Sequence, residues 1–133
     1  MVLRVEPLAA ALDAARERAL PGSEIRSILL SPQGRIWDQP RARELASSAA
    51  PERPLTLIFI SGNYEGPDER FRELVDEEIS IGDYVLTGGE LPALVVANSL
   101  LRLLPGTIEA DSRENDSFSA GRLDYPVYTR PLV

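Results

Sequence analysis

The chain has neither cysteine nor histidine. Without cysteine there can be no disulfide and no thiolate metal site. Without histidine the commonest general base and the commonest zinc ligand are gone, so no metal is expected. Lysine is missing too, which makes all fourteen cations arginine, and 21 acidic residues outnumber them to leave a net charge of −7. At long range such a chain repels a polyanion. A nucleic-acid partner would need a local arginine patch or charge supplied by another part, although a single nucleotide is not excluded. No run approaches the ~20 apolar residues that span a bilayer, and no signal-peptide pattern opens the chain. The expected location is the cytoplasm, with no membrane partner.

What is present is ordinary for a globular domain: 44% hydrophobic and 26% charged residues in 133. That length suffices to bury a core as one domain without staples. There is no internal repeat and no low-complexity tract.

Three strand-like stretches alternate with helical ones. Residues 1–5 form a short lead-in. From Glu6 to about Leu20, the residues Leu8, Ala11, Leu12, Ala15 and Leu20 share one helical face, and Pro21-Gly22 stops the segment. Ile25–Leu30 is a short apolar run of the kind buried in a parallel sheet, and Ser31-Pro32-Gln33-Gly34 should break it. Asp38 can cap a helix from about Gln39 to Ala49, with Pro40 in its first turn. Leu55–Ile60 is the clearest strand and leads into Ser61-Gly62-Asn63-Tyr64-Glu65-Gly66. A short charged helix over 67–76 follows, then a third strand-like stretch from Glu77 to Leu86. The run Glu73, Asp76, Glu77, Glu78 reads as an exposed acidic face. Leu91–Leu104 is an apolar helix stopped by Pro105-Gly106, and residues 107–133 read as an extended tail.

The alternation argues for an α/β fold with a parallel sheet and flanking helices. Its strands would end in glycine- or proline-bearing loops along the edge where ligands collect. The densest loop is Ser80–Pro92, with Gly82, Gly88 and Gly89 allowing tight turns and Ile81, Tyr84, Val85 and Leu86 supplying apolar surface. It could wrap a flat ligand and offer backbone groups to its edge. Pattern alone favours a strand–turn–helix connection with no ligand.

Several stretches resemble the bacterial tRNA (guanine-37-N1)-methyltransferase (TrmD) family of the knotted SPOUT class. They are Leu30–Gly34, Gly62–Arg70, Ser80–Pro92, Arg102 with Pro105-Gly106, Asn115–Phe118, Leu123–Pro126 and Tyr128–Pro131, in the family's order and over almost the whole chain. The resemblance implies a deep trefoil knot, an obligate homodimer with a shared active site, tRNA as substrate and S-adenosylmethionine as cofactor. Residue by residue, it implies cofactor contacts at Leu30, Ser31, Pro32, Gly34, Gly62, Tyr64, Glu65, Ile81, Gly82, Tyr84, Leu86, Gly88, Gly89 and Pro92. Asp116 matches the general base and Arg102 the catalytic arginine. A carboxylate suits removal of the proton on guanine N1, and an arginine fork suits charge building on O6. Glu65 and Asp83 could complement the cofactor's positive charge or hold its ribose and amino groups.

Seen without the family, Asp116 is a solvated residue in a polar tail and Arg102 a cation favourable to a helix C-terminus. The chain departs from the family's pattern at Asn63, Pro67, Tyr125 and Val127. It begins after the family's first strand, helix and glycine-rich loop and ends before its C-terminal helical domain. The expected organisation is a cofactor-binding domain over 1–106 and an interdomain tail over 107–133 carrying the base. Two other readings stay open: a catalytically silent S-adenosylmethionine-binding, dimerising module, and a plain α/β interaction domain.

Overall fold

A computed structural model describes residues 3–63, 66–107, 118, 121–123, 126 and 128. Three parallel strands, β1 (Glu24–Ile36), β2 (Leu55–Ser61) and β3 (Glu77–Ser80), pair in the order β2-β1-β3. Helices α1 (Val5–Glu17), α2 (Gln39–Ser47) and α3 (Glu90–Leu101) flank them, with a 3-10 turn at Glu69–Leu74. The expected mixed α/β architecture is what forms.

The centre of the sheet is buried because β1 has neighbours on both sides. Ser27 and, after it, Ile28, Leu29 and Leu30 are inaccessible or nearly so, the last three being the continuous apolar run of a central parallel strand. Side chains alternate along a strand. Ile28 and Leu30 accordingly join Leu45 of α2, Ile79 of β3 and Val96 and Leu100 of α3 in one cluster. Fully burying each such side chain contributes about 1.5–3 kcal/mol.

Polar side chains pin the element ends. Asp38 caps α2 by accepting from the Arg41 amide at 3.0 Å, and Pro40 sits in the first turn, both as expected. Asp76 accepts from the backbone N–H and the hydroxyl of buried Ser27, at 2.8 and 3.0 Å. Trp37 donates from Nε1 to Ser99 Oγ at 2.8 Å, tying the start of α2 to α3.

Four expectations change. The strand does not stop at Ser31–Gly34: Leu30 and Arg35 both pair with Ile79, so these four residues make a detour inside β1. β3 ends at Ser80 instead of Leu86. Its hydroxyl donates to the Gly82 carbonyl at 2.9 Å and accepts from the Gly82 N–H at 3.2 Å, drawing the backbone into a turn. α1 stops at Glu17, because the following turn is tied to β2 through the Leu20 N–H on Thr56 Oγ1 at 3.3 Å. Finally, the acidic run is a solvated face only in part: Glu73 and Asp76 are exposed, but Glu77 pairs with Arg41 and Glu78 with Arg72, all four of these side chains being largely shielded.

Candidate functional site

Beyond the C-terminal ends of the three strands lies a cavity of about 300 Å³, at the small end of the range for small-molecule clefts. Three segments form it. The first is the detour of β1, with Leu30, Ser31, Pro32 and Gln33. The second follows β2, with Gly62, Gly66 and Pro67. The third follows β3 and supplies Ile81, Gly82, Tyr84, Val85, Leu86, Gly88, Gly89 and Pro92.

These segments are fastened to one another. The Gly89 N–H donates to the Gly62 carbonyl at 2.9 Å, and Asn63 forms a bridge with Gly88. A Cβ on Gly89 would lie 2.9 Å from Ser61 Cα, so only glycine lets the third segment cross so close to the end of β2. Gly66, at φ +80, closes a turn through its N–H on the Asn63 carbonyl at 3.0 Å. That turn is held from below by the Leu3 N–H on Gly66 at 3.2 Å and the Asp68 N–H on Leu3 at 3.0 Å. The third segment is anchored at its root, where the Trp37 N–H donates to the Ser80 carbonyl at 2.8 Å.

Pro32, Ile81, Leu86 and Pro92 give the walls an apolar character, while the glycines leave backbone groups at the edge. Polar chemistry gathers at the first segment. The Ser31 hydroxyl donates to the Glu78 carboxylate, and the Gln33 N–H donates back to Ser31 Oγ at 3.2 Å. Beside the second segment, the Arg70 guanidinium holds the Asp68 carboxyl down from the ordinary 3.8 to about 2, with Nε and Nη2 at 3.0 and 2.9 Å.

Of the residues singled out in the sequence, Leu30, Ser31, Pro32, Gly62, Ile81, Gly82, Tyr84, Leu86, Gly88, Gly89 and Pro92 come together in this cavity. Gly34 does not line it. A Cβ there would meet the Ile79 backbone at 2.5 Å, so glycine is needed where β1 returns to β3. Asp83 is exposed and outside the lining. Arg102 caps the far end of α3. Ten residues beyond Pro92 at 1.5 Å per residue puts it about 15 Å along the axis from the cavity. Tyr64, Glu65 and Asp116 lie outside the described residues.

Gln33 and Arg72 also line the cavity and were not singled out. Gln33 stood inside a motif already noted, whereas Arg72 reaches the site from the 3-10 turn and carried no sequence signal. Among the described residues no group of three or more His, Cys, Asp or Glu could hold a metal, and no helix is long and apolar enough to cross a membrane.

The model of the family described as tRNA (Guanine-1)-methyltransferase TrmD matches residues 1–133. A tRNA (guanine-N(1)-)-methyltransferase of Mycoplasmopsis synoviae (strain 53) is 54% identical over 132 residues, covering 98% of this chain and 53% of that protein. One from Pseudomonas aeruginosa (strain LESB58) is 55% identical over 135 residues, covering 100% of this chain and 51% of its own length. A third, from Desulforudis audaxviator (strain MP104C), is 50% identical over 132 residues and is itself covered to 50%. The chain thus spans about half the length of the curated relatives it matches.

Proposed function

This chain belongs to the tRNA (Guanine-1)-methyltransferase TrmD family, and from that premise we propose that it forms the methyl-donor-binding part of an enzyme that methylates N1 of guanine 37 in tRNA. One observation carries the reading: the three strand-end segments matching the family's motifs converge on a single cavity. S-adenosylmethionine, which supplies an electrophilic methyl group, is the proposed donor. Its flat adenine suits the apolar walls formed by Ile81, Leu86 and Pro92, and the glycine backbones can satisfy its edge. Gly34 supports this pocket through its packing in the strand.

The roles of Asp116 and Arg102 follow from the family resemblance. Asp116 accepts the proton from guanine N1, and Arg102 stabilises the charge that builds on O6. Residues 1–106 then serve as the cofactor domain, knotted as in the SPOUT class, and residues 107–133 carry the base. The reaction belongs in the cytoplasm, where tRNA is modified.

A second copy of the chain completes the site. α3 is apolar around most of its circumference, yet Leu91, Leu94 and Leu101 are 64%, 65% and 55% exposed. A helix that is hydrophobic all round is normally buried. Antiparallel packing of this face on its counterpart would bring the partner's α3 C-terminus to the cavity end of α3. The homodimer therefore supplies the missing arginine in trans. With a net charge of −7, grip on the tRNA backbone comes from a local arginine patch or from charge supplied by another part of the enzyme.

Methyl transfer from labelled S-adenosylmethionine to a tRNA transcript with guanine at 37 tests the reading. We expect N1-methylguanine in the digested product and its loss in Asp116→Ala, with donor binding retained. Donor binding without transfer, even in the longer family context, would leave only the silent binding module. Transfer undiminished in Asp116→Ala would remove the base from its role.

A further inference from the structure

We propose that Arg72 is a positioning residue for the donor cavity, acting through Ser31 and Gln33 on the first of the three segments. The inference rests on the methyl-donor reading above and extends it to a side chain on none of the three segments. From the 3-10 turn the guanidinium reaches three elements at once. Nη1 pairs with Glu69 of its own turn, Nε lies 3.1 Å from Glu78 Oε1 of β3, and Nη2 donates to Gln33 Oε1 of β1 at 3.3 Å.

Each contact constrains what the cavity presents. Glu78 is largely shielded, with 22% of its side chain exposed, and Arg72 is the opposite charge beside it. The Ser31 hydroxyl has two acceptors to donate to, Glu78 Oε1 and, at 3.1 Å, Gln33 Oε1, and both lie against the Arg72 guanidinium. The Gln33 N–H occupies one lone pair of Ser31 Oγ. Ser31 is thereby left as an acceptor, able to receive a hydrogen bond from a ligand hydroxyl or ammonium group and unable to donate one. Gln33 is fixed in the same way: its amide oxygen faces the guanidinium, leaving its NH2 as the free donor. Arg72 thus sets the hydrogen-bonding polarity of the detour at Ser31–Gln33. Ser31 touches the ligand; Arg72 decides how.

The prediction is one of donor affinity and not of turnover. S-adenosylhomocysteine and S-adenosylmethionine binding would be measured by calorimetry on the wild-type chain, Arg72→Met, Arg72→Lys, Ser31→Ala and the Arg72→Met/Ser31→Ala double variant. Arg72→Met should weaken binding about tenfold, the size expected when a charge-assisted network behind a contact is broken. Arg72→Lys should recover part of that loss, because a point charge neutralises Glu78 but cannot also fork to Gln33. In the Ser31→Ala background the Arg72→Met effect should shrink to under twofold, the signature of residues acting in series. An undiminished effect there, or Arg72→Met binding within twofold of wild type, overturns the proposal.

Amide hydrogen exchange without ligand separates this outcome from failure of the functional reading. Arg72→Met should speed exchange at Gln33, whose N–H rests on Ser31 Oγ. No donor binding by wild type, with that local change still present, would defeat the methyl-donor assignment and leave the positioning role standing. Unchanged exchange at Gln33 defeats the positioning role whatever binds. Should Arg72→Met not fold, the Arg72→Lys and Ser31→Ala pair carries the same comparison.

Discussion

Replacing Gly34 with alanine separates a glycine the fold needs from one a ligand needs. The added Cβ would sit 2.5 Å from both the N and C atoms of Ile79 and 2.7 Å from the Glu78 carbonyl carbon. Comfortable carbon–carbon separations are about 3.5–4.0 Å, so β1 and β3 must part by about 1 Å at the point where the strand returns from its detour. Overpacking costs about 1–3 kcal/mol where side chains yield. Here the obstacle is backbone in a paired strand, which places the cost at the upper end, about 3 kcal/mol. Against a typical total of about 5–15 kcal/mol that is a large share. Gly106→Ala is the internal control: its φ is +86 and nothing lies within 4 Å of an added Cβ, so only the left-handed backbone penalty of about 1 kcal/mol applies. Urea unfolding monitored by circular dichroism, with midpoint and slope fitted together, measures both. The reasoning is refuted if Gly34→Ala costs no more than Gly106→Ala. It is refuted equally if Gly34→Ala keeps its stability and loses only donor affinity, since that is how a ligand contact behaves.

Gly82→Ala should behave in the opposite sense, because its Cβ would run into the ring of Tyr84, a side chain 53% exposed and free to swing. Stability should stay within about 1 kcal/mol of wild type while donor affinity falls severalfold, as calorimetry would record. Ser99→Ala removes the acceptor of the partly buried Trp37 indole N–H and should cost about 0.5–1.5 kcal/mol, with a change in emission from the chain's one tryptophan. For Asp68, the carboxyl is depressed from 3.8 to about 2 by Arg70, so its contribution is fully present above the unfolded value and lost as pH falls toward 2. Acid unfolding of Asp68→Asn should therefore lack a step that wild type shows between about pH 4 and 2; coincident acid limbs would contradict this.

The strands and the capped helix were legible because their signals are local. Leu55–Ile60 is a continuous apolar run, and Asp38 stands immediately before a helix with proline in its first turn. The detour of β1 was not legible. Ser-Pro-Gln-Gly carries every mark of a stop, and only Ile79 and Ser80, more than forty residues on, give the returning strand something to pair with. The second half of the acidic run misled for a related reason. A run of charges reads as a surface, and Glu73 and Asp76 are exposed, but the arginines that shield Glu77 and Glu78, Arg41 and Arg72, come from other elements. In the site, the glycine-bearing motifs pointed to the cavity because close backbone approach is a demand that few residues meet. Gly34 answered the same demand for a different neighbour, and its motif could not distinguish a strand from a ligand.

How the cavity is held decides where it can respond. Each of its three segments is fastened to protein: the first through Glu78, the second through Leu3 and Gly89, the third through Trp37 and Gly62. A pocket so tied is largely formed before anything enters it, and little affinity is lost to ordering it. The third segment's end has a further connection. Gly89 contacts Gly62 and also begins α3, the helix whose far side is exposed at Leu91, Leu94 and Leu101. A partner seated on that face would bear on the helix whose first turn, through Pro92, is part of the cavity wall. In the proposed dimer, assembly and donor binding would share one structural element, and whatever coupling runs through it would act on both equilibria by the same factor.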